Sequence, residues 1–302
     1  MCKRRCAFVA CLSVTRRSLA SVVILSFAPA LFGQRDAAER AEWNQPVDPF
    51  RIIGNIFYVG VTGLASYLIT TPQGHVLLDG GFAETAPIIE RNIATLGFRV
   101  QDVKYLLNSH AHYDHCGGLA ALKRISGAHM VASRADAEVL ESGRQKNYSI
   151  PDSLFPAVKV DRVISSGESV QLGSVTLTAI VTPGHTKGCT TWTMPVEDTG
   201  KTHHVVFYCS TSVLGYPLVG NARYPQIVSD YERSFAALRQ LPCDVFLAPH
   251  GSFFHLMEKR ARLANGGPNP FVDPSELRLF VDQSEKEFHQ ELKRQQAAKA
   301  PK

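Results

Sequence analysis

The chain has 302 residues, of which 45% are hydrophobic and 20% are charged. This composition is too apolar for a disordered protein and gives enough core for one large domain or two small ones. Lysine and arginine number 32 against 27 acidic residues, but five of the basic residues lie in the first 33 positions, which hold no acidic residue. Their removal leaves 27 basic and 27 acidic residues, so nothing indicates nucleic-acid binding.

Residues 1–33 have the pattern of a cleaved export signal. Basic residues precede an apolar run over residues 19–32, which is too short to span a bilayer. Arg16 and Arg17 resemble a twin-arginine signal, and ordinary secretion is the alternative. We expect a mature protein that begins near Gln34, resides in a bacterial periplasm, is not bound to a membrane and is a monomer.

The first half of the mature chain alternates between strands and helices. Apolar or alternating segments bounded by glycine and proline turns indicate strands, whereas apolar residues at helical spacing indicate helices. Strands are predicted over residues 56–59, 66–70, 75–78, 105–107 and 129–132, and helices over residues 86–96, 118–125 and 133–140.

The second half repeats this order of strands followed by helices. Strands are predicted over residues 160–164, 168–171, 175–181, 190–194, 205–208 and 245–248, and helices over residues 229–241 and from a cap at Asp273 onward. Only the tail after Gln295 is expected to be disordered. The pattern predicts an α/β fold, a four-layer αβ/βα sandwich that forms a single domain over residues 34–302.

After removal of the signal, four cysteines remain: Cys116, Cys189, Cys209 and Cys243. An oxidising compartment favours disulfides, so at least one is expected among them. The cysteine count alone does not decide which of them pair.

The sharpest motif is the run His110-Ala111-His112-Tyr113-Asp114-His115, directly after the predicted strand at residues 105–107. On an extended backbone, residues two positions apart point to the same side, so His110 and His112 can bind one ion. The turn into the next helix directs Asp114 and His115 toward another ion. Imidazole and carboxylate groups are ligands that Zn²⁺ favours.

A catalytic zinc has about three protein ligands and an open position, so two ions require two further histidines. His185 and His250 each follow a predicted strand, where sheet-based sites collect. Any one of these histidines alone is more simply a loop or capping residue, but the six residues together predict a two-metal site. A zinc-dependent structural protein is disfavoured, because structural zinc is normally enclosed by four protein ligands.

Several motifs resemble the metallo-β-lactamase superfamily in order and spacing. They are the His110 to His115 run, Asp79-Gly80-Gly81, Pro183-Gly184-His185-Thr186 and Pro249-His250-Gly251. Residues 184–192, 220–225 and 230–235 look like the subclass B3 β-lactamases. The match spans nearly the whole mature chain and implies a cofactor of two zinc ions per chain.

The resemblance also implies residue roles. The zinc ligands would come from separate motifs: His110, His112 and His185 for the first zinc, and Asp114, His115 and His250 for the second. Asp79 resembles an aspartate that orients ligands without binding metal, with a turn cap as the alternative. Ser210 and Ser212, next to the second zinc in this register, resemble hydroxyls that hold the substrate carboxylate, with plain turn serines as the alternative.

The segment Tyr208-Cys209-Ser210 separates this chain from other members of the superfamily. The lactonases and other hydrolases of the superfamily usually place a metal-bridging aspartate after this strand, and none is present here. Another lactamase subclass has a cysteine ligand at nearly this place, so a Cys209 thiolate is one possibility. In the subclass B3 register Ser210 takes that place, and the resemblance implies a disulfide between Cys209 and Cys189.

The expected reaction is hydrolysis of the β-lactam amide bond of penicillins, cephalosporins or carbapenems by a zinc-held hydroxide, which would confer antibiotic resistance. Asp114 could also orient that hydroxide. The alternative is a periplasmic lactone or thioester hydrolase that uses the same metals. Residues 141–155 lack regular periodicity and are expected to form a loop beside the cleft.

Overall fold

The structure, a computed structural model, describes residues 37–145, 148 and 153–299. The chain divides into two compact units, Met1–Glu39 and Arg40–Lys302, and residues 37–39 are all that is described of the first unit. The predicted export signal, residues 1–33, lies outside the described residues. Every strand that the structure describes belongs to the second unit.

Fourteen strands are found among the described residues. In chain order they are β1 (Phe50–Ile53), β2 (Ile56–Tyr58), β3 (Tyr67–Thr71), β4 (Gly74–Leu78), β5 (Val103–Leu107), β6 (His129–Ser133), β7 (Arg144–Gln145), β8 (Ser153–Leu154), β9 (Arg162–Ile164), β10 (Ser169–Leu172), β11 (Val175–Val181), β12 (Thr190–Asp198), β13 (Lys201–Phe207) and β14 (Val245–Leu247).

From residue 86 onward, the described residues of the second unit form seven α-helices. They are α1 (Ala86–Thr95), α2 (Tyr113–Cys116), α3 (Leu119–Ser126), α4 (Arg134–Ser142), α5 (Ile227–Leu238), α6 (Leu256–Ala264) and α7 (Glu276–Lys299). Within the described part of the chain, none of the helices combines the length and the apolar character that a membrane span requires.

Two large sheets carry the fold. The seven-stranded sheet has the order β1-β2-β3-β4-β5-β6-β9, with antiparallel pairs up to β4 and parallel pairs beyond it. The five-stranded sheet has the order β10 to β14, and only its β13–β14 pair is parallel. Strands β7 and β8 form a separate small hairpin-like pair.

Alternation along the strands sorts their side chains between two cores. On β3, Tyr67 and Ile69 belong to a core that contains residues of both large sheets, whereas Leu68 belongs to a core shared with Ile93 and Leu122 of the helices. Because neighbouring residues of a strand point to opposite faces, one face meets the other sheet and one meets helices. The predicted αβ/βα sandwich of the metallo-β-lactamase type is confirmed.

Most predicted elements are present within a few residues of their expected bounds, but β1, the β7–β8 pair and α6 were not predicted. The expectation of a disordered tail after Gln295 is wrong, because α7 continues to Lys299. The Gln295 amide donates to the main-chain oxygen of Tyr216 at 2.9 Å, and its side-chain oxygen accepts from the Leu218 amide at 2.7 Å. Lys299 donates to the main-chain oxygen of Val219.

The packing of α7 gives a stability prediction. Phe288 is 1% exposed and its ring lies 4.9 Å from that of Tyr231 and 5.6 Å from that of Phe235, both on α5. We expect Phe288→Ala to lower the free energy of unfolding by about 3–5 kcal/mol, because it leaves a cavity between two helices. Leu279→Ala, at a position of the same helix that is 65% exposed, should change it by less than about 0.5 kcal/mol. Urea unfolding measures both, and equal effects would show that α7 does not pack as described.

Candidate metal centre

The residues predicted to bind metal lie in the segments that follow the carboxyl ends of strands. His110 comes after β5, His185 after β11 and His250 after β14. Main-chain hydrogen bonds join these loops, since the Thr190 amide donates to the Ser109 oxygen at 2.8 Å and the Ala65 amide donates to the Pro249 oxygen at 2.8 Å. The loops from both sheets therefore meet at one edge of the sandwich.

The first group of side chains, here called the first donor set, consists of His110, His112 and His185. All three are buried, and their ligand atoms lie within 4.8 Å of one another. The Nε2 atoms of His110 and His185 are 3.2 Å apart. His185 Nδ1 lies 2.7 Å from the main-chain oxygen of Ser212, which can only accept, so Nδ1 carries the proton and the Nε2 lone pair faces His110.

The second donor set consists of Asp114, His115 and His250. Its three ligand atoms form a triangle: Asp114 Oδ2 lies 3.1 Å from His115 Nε2 and 3.7 Å from His250 Nε2, and the two Nε2 atoms are 3.2 Å apart. Asp114 and His115 stand on the short helix α2, which begins immediately after His112. The start of that helix separates the two sets, and it lies ahead of the helix that the sequence predicts over residues 118–125.

The spacing of these donors fits zinc. A tetrahedral ion with bonds of about 2.0–2.1 Å holds its ligand atoms about 3.3 Å apart, and the measured separations lie close to that value. Two imidazole nitrogens at 3.2 Å share one hydrogen at most, so a close cluster of imidazoles is better satisfied by a cation than by hydrogen bonds. Each set has three donors and leaves a coordination position open for water or substrate.

Burial favours the neutral, metal-binding form of four of the five imidazoles. Burial lowers the pKa of every imidazole in the first donor set, to about 4 for His185, and lowers that of His250 to about 3. Burial opposes the charged forms of His115 and Asp114 as well, but each stabilises the other's charge. The pKa of His115 is therefore raised and that of Asp114 is lowered.

Three comparisons with known proteins bear on this site. Residues 59–250 match the family model described as the metallo-beta-lactamase superfamily. The chain covers 98% of BJP-1, a subclass B3 metallo-beta-lactamase of Bradyrhizobium japonicum, at 43% identity with a TM-score of 0.80 over 85% of this chain. It covers 98% of the FEZ-1 metallo-beta-lactamase from Legionella gormanii at 41% identity, with a TM-score of 0.81 over 84% of this chain.

The chain is a subclass B3 member of the metallo-β-lactamase superfamily. More distant similarity links it to an N-acyl homoserine lactonase, AttM of Agrobacterium fabrum, at 31% identity over 149 residues. That match covers 40% of this chain and 56% of the lactonase, so the chain spans only about half the length of the first curated relatives it matches. Lactonases are therefore relatives at the level of the superfamily.

In this subclass B3 chain, Asp79 stands outside both donor sets and contacts the loop that carries the first one. Its Oδ1 atom accepts a hydrogen bond of 2.6 Å from the amide of Ser109, next to His110. Its backbone is left-handed, with φ at 62°, a conformation that aspartate adopts more readily than most residues. Burial raises the pKa of Asp79 to about 6, although the nearby His115 opposes the shift.

Ser210 and Ser212 lie beside the first donor set. Their hydroxyl oxygens are 3.0 Å apart, and the Ser212 hydroxyl is 3.2 Å from His185 Nδ1. The sequence placed them next to the second zinc, whereas the contacts found here are with His185. Tyr231 donates to the same main-chain oxygen of Ser212 that His185 uses, at 2.9 Å, which fixes the loop.

Cys189 and Cys209 form a disulfide with a Cα–Cα distance of 5.8 Å. It ties the segment after His185 to the segment that leads to Ser210. The Cys209 sulfur lies 3.8 Å from His110 Nδ1, but a disulfide sulfur has no thiolate to offer a metal. The pairing implied by the resemblance is present, and the thiolate alternative for Cys209 is disfavoured. Cys116 and Cys243 are free.

Several residues around the centre had no signal in the sequence. The Tyr216 hydroxyl lies 3.4 Å from His112 Nε2, and the Trp43 ring lies 5.1 Å from the ring of His250. Tyr148 packs on Tyr216 with ring centroids 5.1 Å apart, so this part of the loop expected at residues 141–155 does flank the centre. Residues 146–147 and 149–152 of that loop lie outside the described residues. Tyr148 and Tyr216 stand in irregular segments, where no periodic pattern marks a buried side chain.

The disulfide gives a second stability prediction. We expect the double variant Cys189→Ser/Cys209→Ser to lose about 3 kcal/mol of unfolding free energy, because a crosslink over a separation of 20 residues restricts the unfolded chain. Cys243→Ser, at a free and partly buried cysteine, should lose no more than about 1 kcal/mol. Urea unfolding without reductant measures both. Added reductant should lower the unfolding free energy of the wild type but not that of the double variant. If it lowers both equally, the crosslink does not cause the difference in stability between them.

Proposed function

We propose that the protein hydrolyses the amide bond of β-lactam antibiotics with two zinc ions, one on each donor set. The observation that carries the proposal is the pair of separate three-donor sets, each with an open position, in a chain of subclass B3. One open position can present water and the other can meet the substrate. Zinc bound there would supply a nucleophilic hydroxide at neutral pH and would stabilise the negative charge that develops when the amide bond breaks.

The chain's own residues fix the donors before any metal arrives. The bond from His185 Nδ1 to the Ser212 oxygen sets the ring's tautomer and orientation. Asp114 has a second carboxylate oxygen besides Oδ2, so it can accept a hydrogen bond from the attacking water while Oδ2 contacts its donor set. This orienting role for Asp114 belongs to the proposal.

Substrate recognition is assigned to the hydroxyls beside His185. A β-lactam carries a carboxylate next to its ring, and a hydroxyl can donate one hydrogen bond to it. Ser210 and Ser212 present two hydroxyls within 3.0 Å of each other at the metal centre, which suits a shared carboxylate acceptor. Hydrolysis of the lactam would make the protein a determinant of antibiotic resistance.

A second function is a lactone or thioester hydrolase with the same metals. The similarity to N-acyl homoserine lactonases favours it, since one of those proteins is identical at 31% of the aligned residues. The segment Tyr208-Cys209-Ser210 speaks against it, because it has no acidic residue at the place where the family resemblance implies a bridging aspartate in lactonases. The two functions share a metal centre and differ in substrate.

A substrate comparison tests the proposal. We expect the zinc-loaded protein to hydrolyse a chromogenic cephalosporin and a carbapenem, and to lose this activity to a chelator and regain it with zinc. His112→Ala should lower kcat/KM at least about 100-fold, because residues that merely orient a ligand already contribute about 10- to 100-fold. His289→Ala, at a histidine on α7 whose side chain is 52% exposed, is the matched control and should leave kcat/KM unchanged.

An acyl-homoserine lactone is assayed alongside these substrates. Rapid lactone hydrolysis without lactam cleavage would replace the proposed function by the second one. Metal analysis of the same preparation should give two zinc ions per chain and one for His112→Ala.

We further propose that the protein is exported to the periplasm through residues 1–33 and acts there as a monomer. The periplasm is where β-lactams reach their targets, and the Cys189–Cys209 pair suits an oxidising compartment.

Export through the twin-arginine route has a simple test. Replacing Arg16 and Arg17 together by lysine keeps the charge but removes the guanidinium pair, so we expect the protein to remain in the cytoplasm. Cell fractionation with an immunoblot measures this, and replacing Arg4 and Arg5 by lysine is the control. Unchanged periplasmic yield in the Arg16/Arg17 variant would assign export to ordinary secretion.

A further inference from the structure

Asp136 is a buried carboxylate close to the metal centre that belongs to neither donor set. It lies in the first turn of α4 and is 2% exposed. Its Oδ2 atom accepts a hydrogen bond of 2.8 Å from the side-chain amide of Asn108, and the main-chain amide of Ala111 is close enough to favour its charged form. Ala111 stands between His110 and His112, so this carboxylate holds the segment that carries two donors of the first set.

The same carboxylate also contacts the segment that carries the third donor. At Gly188, three residues after His185, a Cβ atom would lie 2.1 Å from Asp136 Oδ1, so the main chain there packs directly on the carboxylate. The Ser133 hydroxyl, just ahead of α4, donates to the Gly188 oxygen at 2.7 Å. The start of α4 is thereby fixed to the loop after β11.

Asp136 and Asp79 brace the loop after β5 at different points. Asp79 accepts from the amide of Ser109, and Asp136 accepts from the side-chain amide of Asn108 and lies near the main-chain amide of Ala111. Burial raises the pKa of Asp136 to about 7, and the negative charge of Asp79 adds to that shift, whereas the hydrogen bond from Asn108 and the main-chain amide of Ala111 oppose it. Burying a charged carboxylate is unfavourable, and the contacts that the oxygens of Asp136 make explain why an aspartate stands at this position.

We propose that Asp136 is a positioning residue for the first donor set, because it joins the segment of His110 and His112 to the segment of His185. The zinc affinity of the first donor set depends on Asp136. The zinc affinity of the second set does not, because Asp114 and His115 stand on α2 and His250 stands on the loop after β14. This inference rests on the two metal sets of the proposed function.

The test measures the zinc affinity of each donor set by itself, in the full-length protein, by competition with a fluorescent chelator. His250→Ala disables the second set and leaves the first, whereas His112→Ala disables the first and leaves the second. Asp136→Asn is then added to each background. It keeps the size of the side chain but removes the negative charge and replaces one of the two acceptor oxygens by an NH2 group, which cannot accept a hydrogen bond.

We expect Asp136→Asn to raise the zinc Kd of the first set by about 10- to 100-fold, and that of the second set by less than about 3-fold. Asp230→Asn is the matched control, because Asp230 is also a buried aspartate but accepts from Tyr224 and Arg233, away from the donor segments. It should leave both Kd values unchanged, even if it lowers the melting temperature as much as Asp136→Asn does.

If Asp136→Asn lowers the melting temperature but leaves the Kd of the first set unchanged, or weakens both sets equally, the residue merely stabilises the fold and the inference is overturned. Should Asp136→Asn not fold, Asn108→Ala removes the side-chain donor to Asp136 and must weaken the first set selectively for the inference to stand. Failure of both single-set backgrounds to bind zinc would overturn the proposed function and this inference with it. Binding in both backgrounds without an effect of Asp136→Asn overturns the inference alone.

Discussion

The structure brings six candidate metal-binding side chains together, five of them buried. Buried imidazoles and a carboxylate without partners are unfavourable, and a bound cation satisfies them at once. The donors come from loops after β5, β11 and β14, so strands of both sheets have to be in place before the first set is complete. Metal binding and folding are therefore linked, because an ion that binds only the native arrangement stabilises it.

The two functions considered for this chain share the same candidate metal donors, and the family resemblance makes the segment after β13 the feature that separates them. There the chain places Cys209 in a disulfide and continues with two serines, and no acidic residue follows the strand before position 230. The groups that hold the donor segments in place also have defined hydrogen-bond partners. Asp79, Asp136 and the Ser212 oxygen each hold a donor segment through a directed hydrogen bond, and these bonds fix ring orientations that the donors alone leave free.

The predicted sandwich is confirmed, and the six side chains that the sequence singled out lie in two groups, because both features leave local patterns. Alternating apolar residues mark strands such as β11, whose bounds were predicted to the residue, and clustered histidines mark ligands. Asp136 and Tyr216 left no pattern, since their importance arises from contacts with residues far away in the chain. The end of α7 was misjudged for the same reason. Its last turns are polar, and they are held by the main chain of the loop around Leu218.

That attachment of α7 makes the far end of the polypeptide part of the catalytic neighbourhood. Gln295 bonds to the main chain of Tyr216 and Leu218, and the Tyr216 hydroxyl faces His112. Proteolytic trimming or an affinity tag that unwinds the last turn of the helix would release this loop. A change made only a few residues from the carboxyl terminus would then reach a donor of the first set through a single hydrogen-bonded loop.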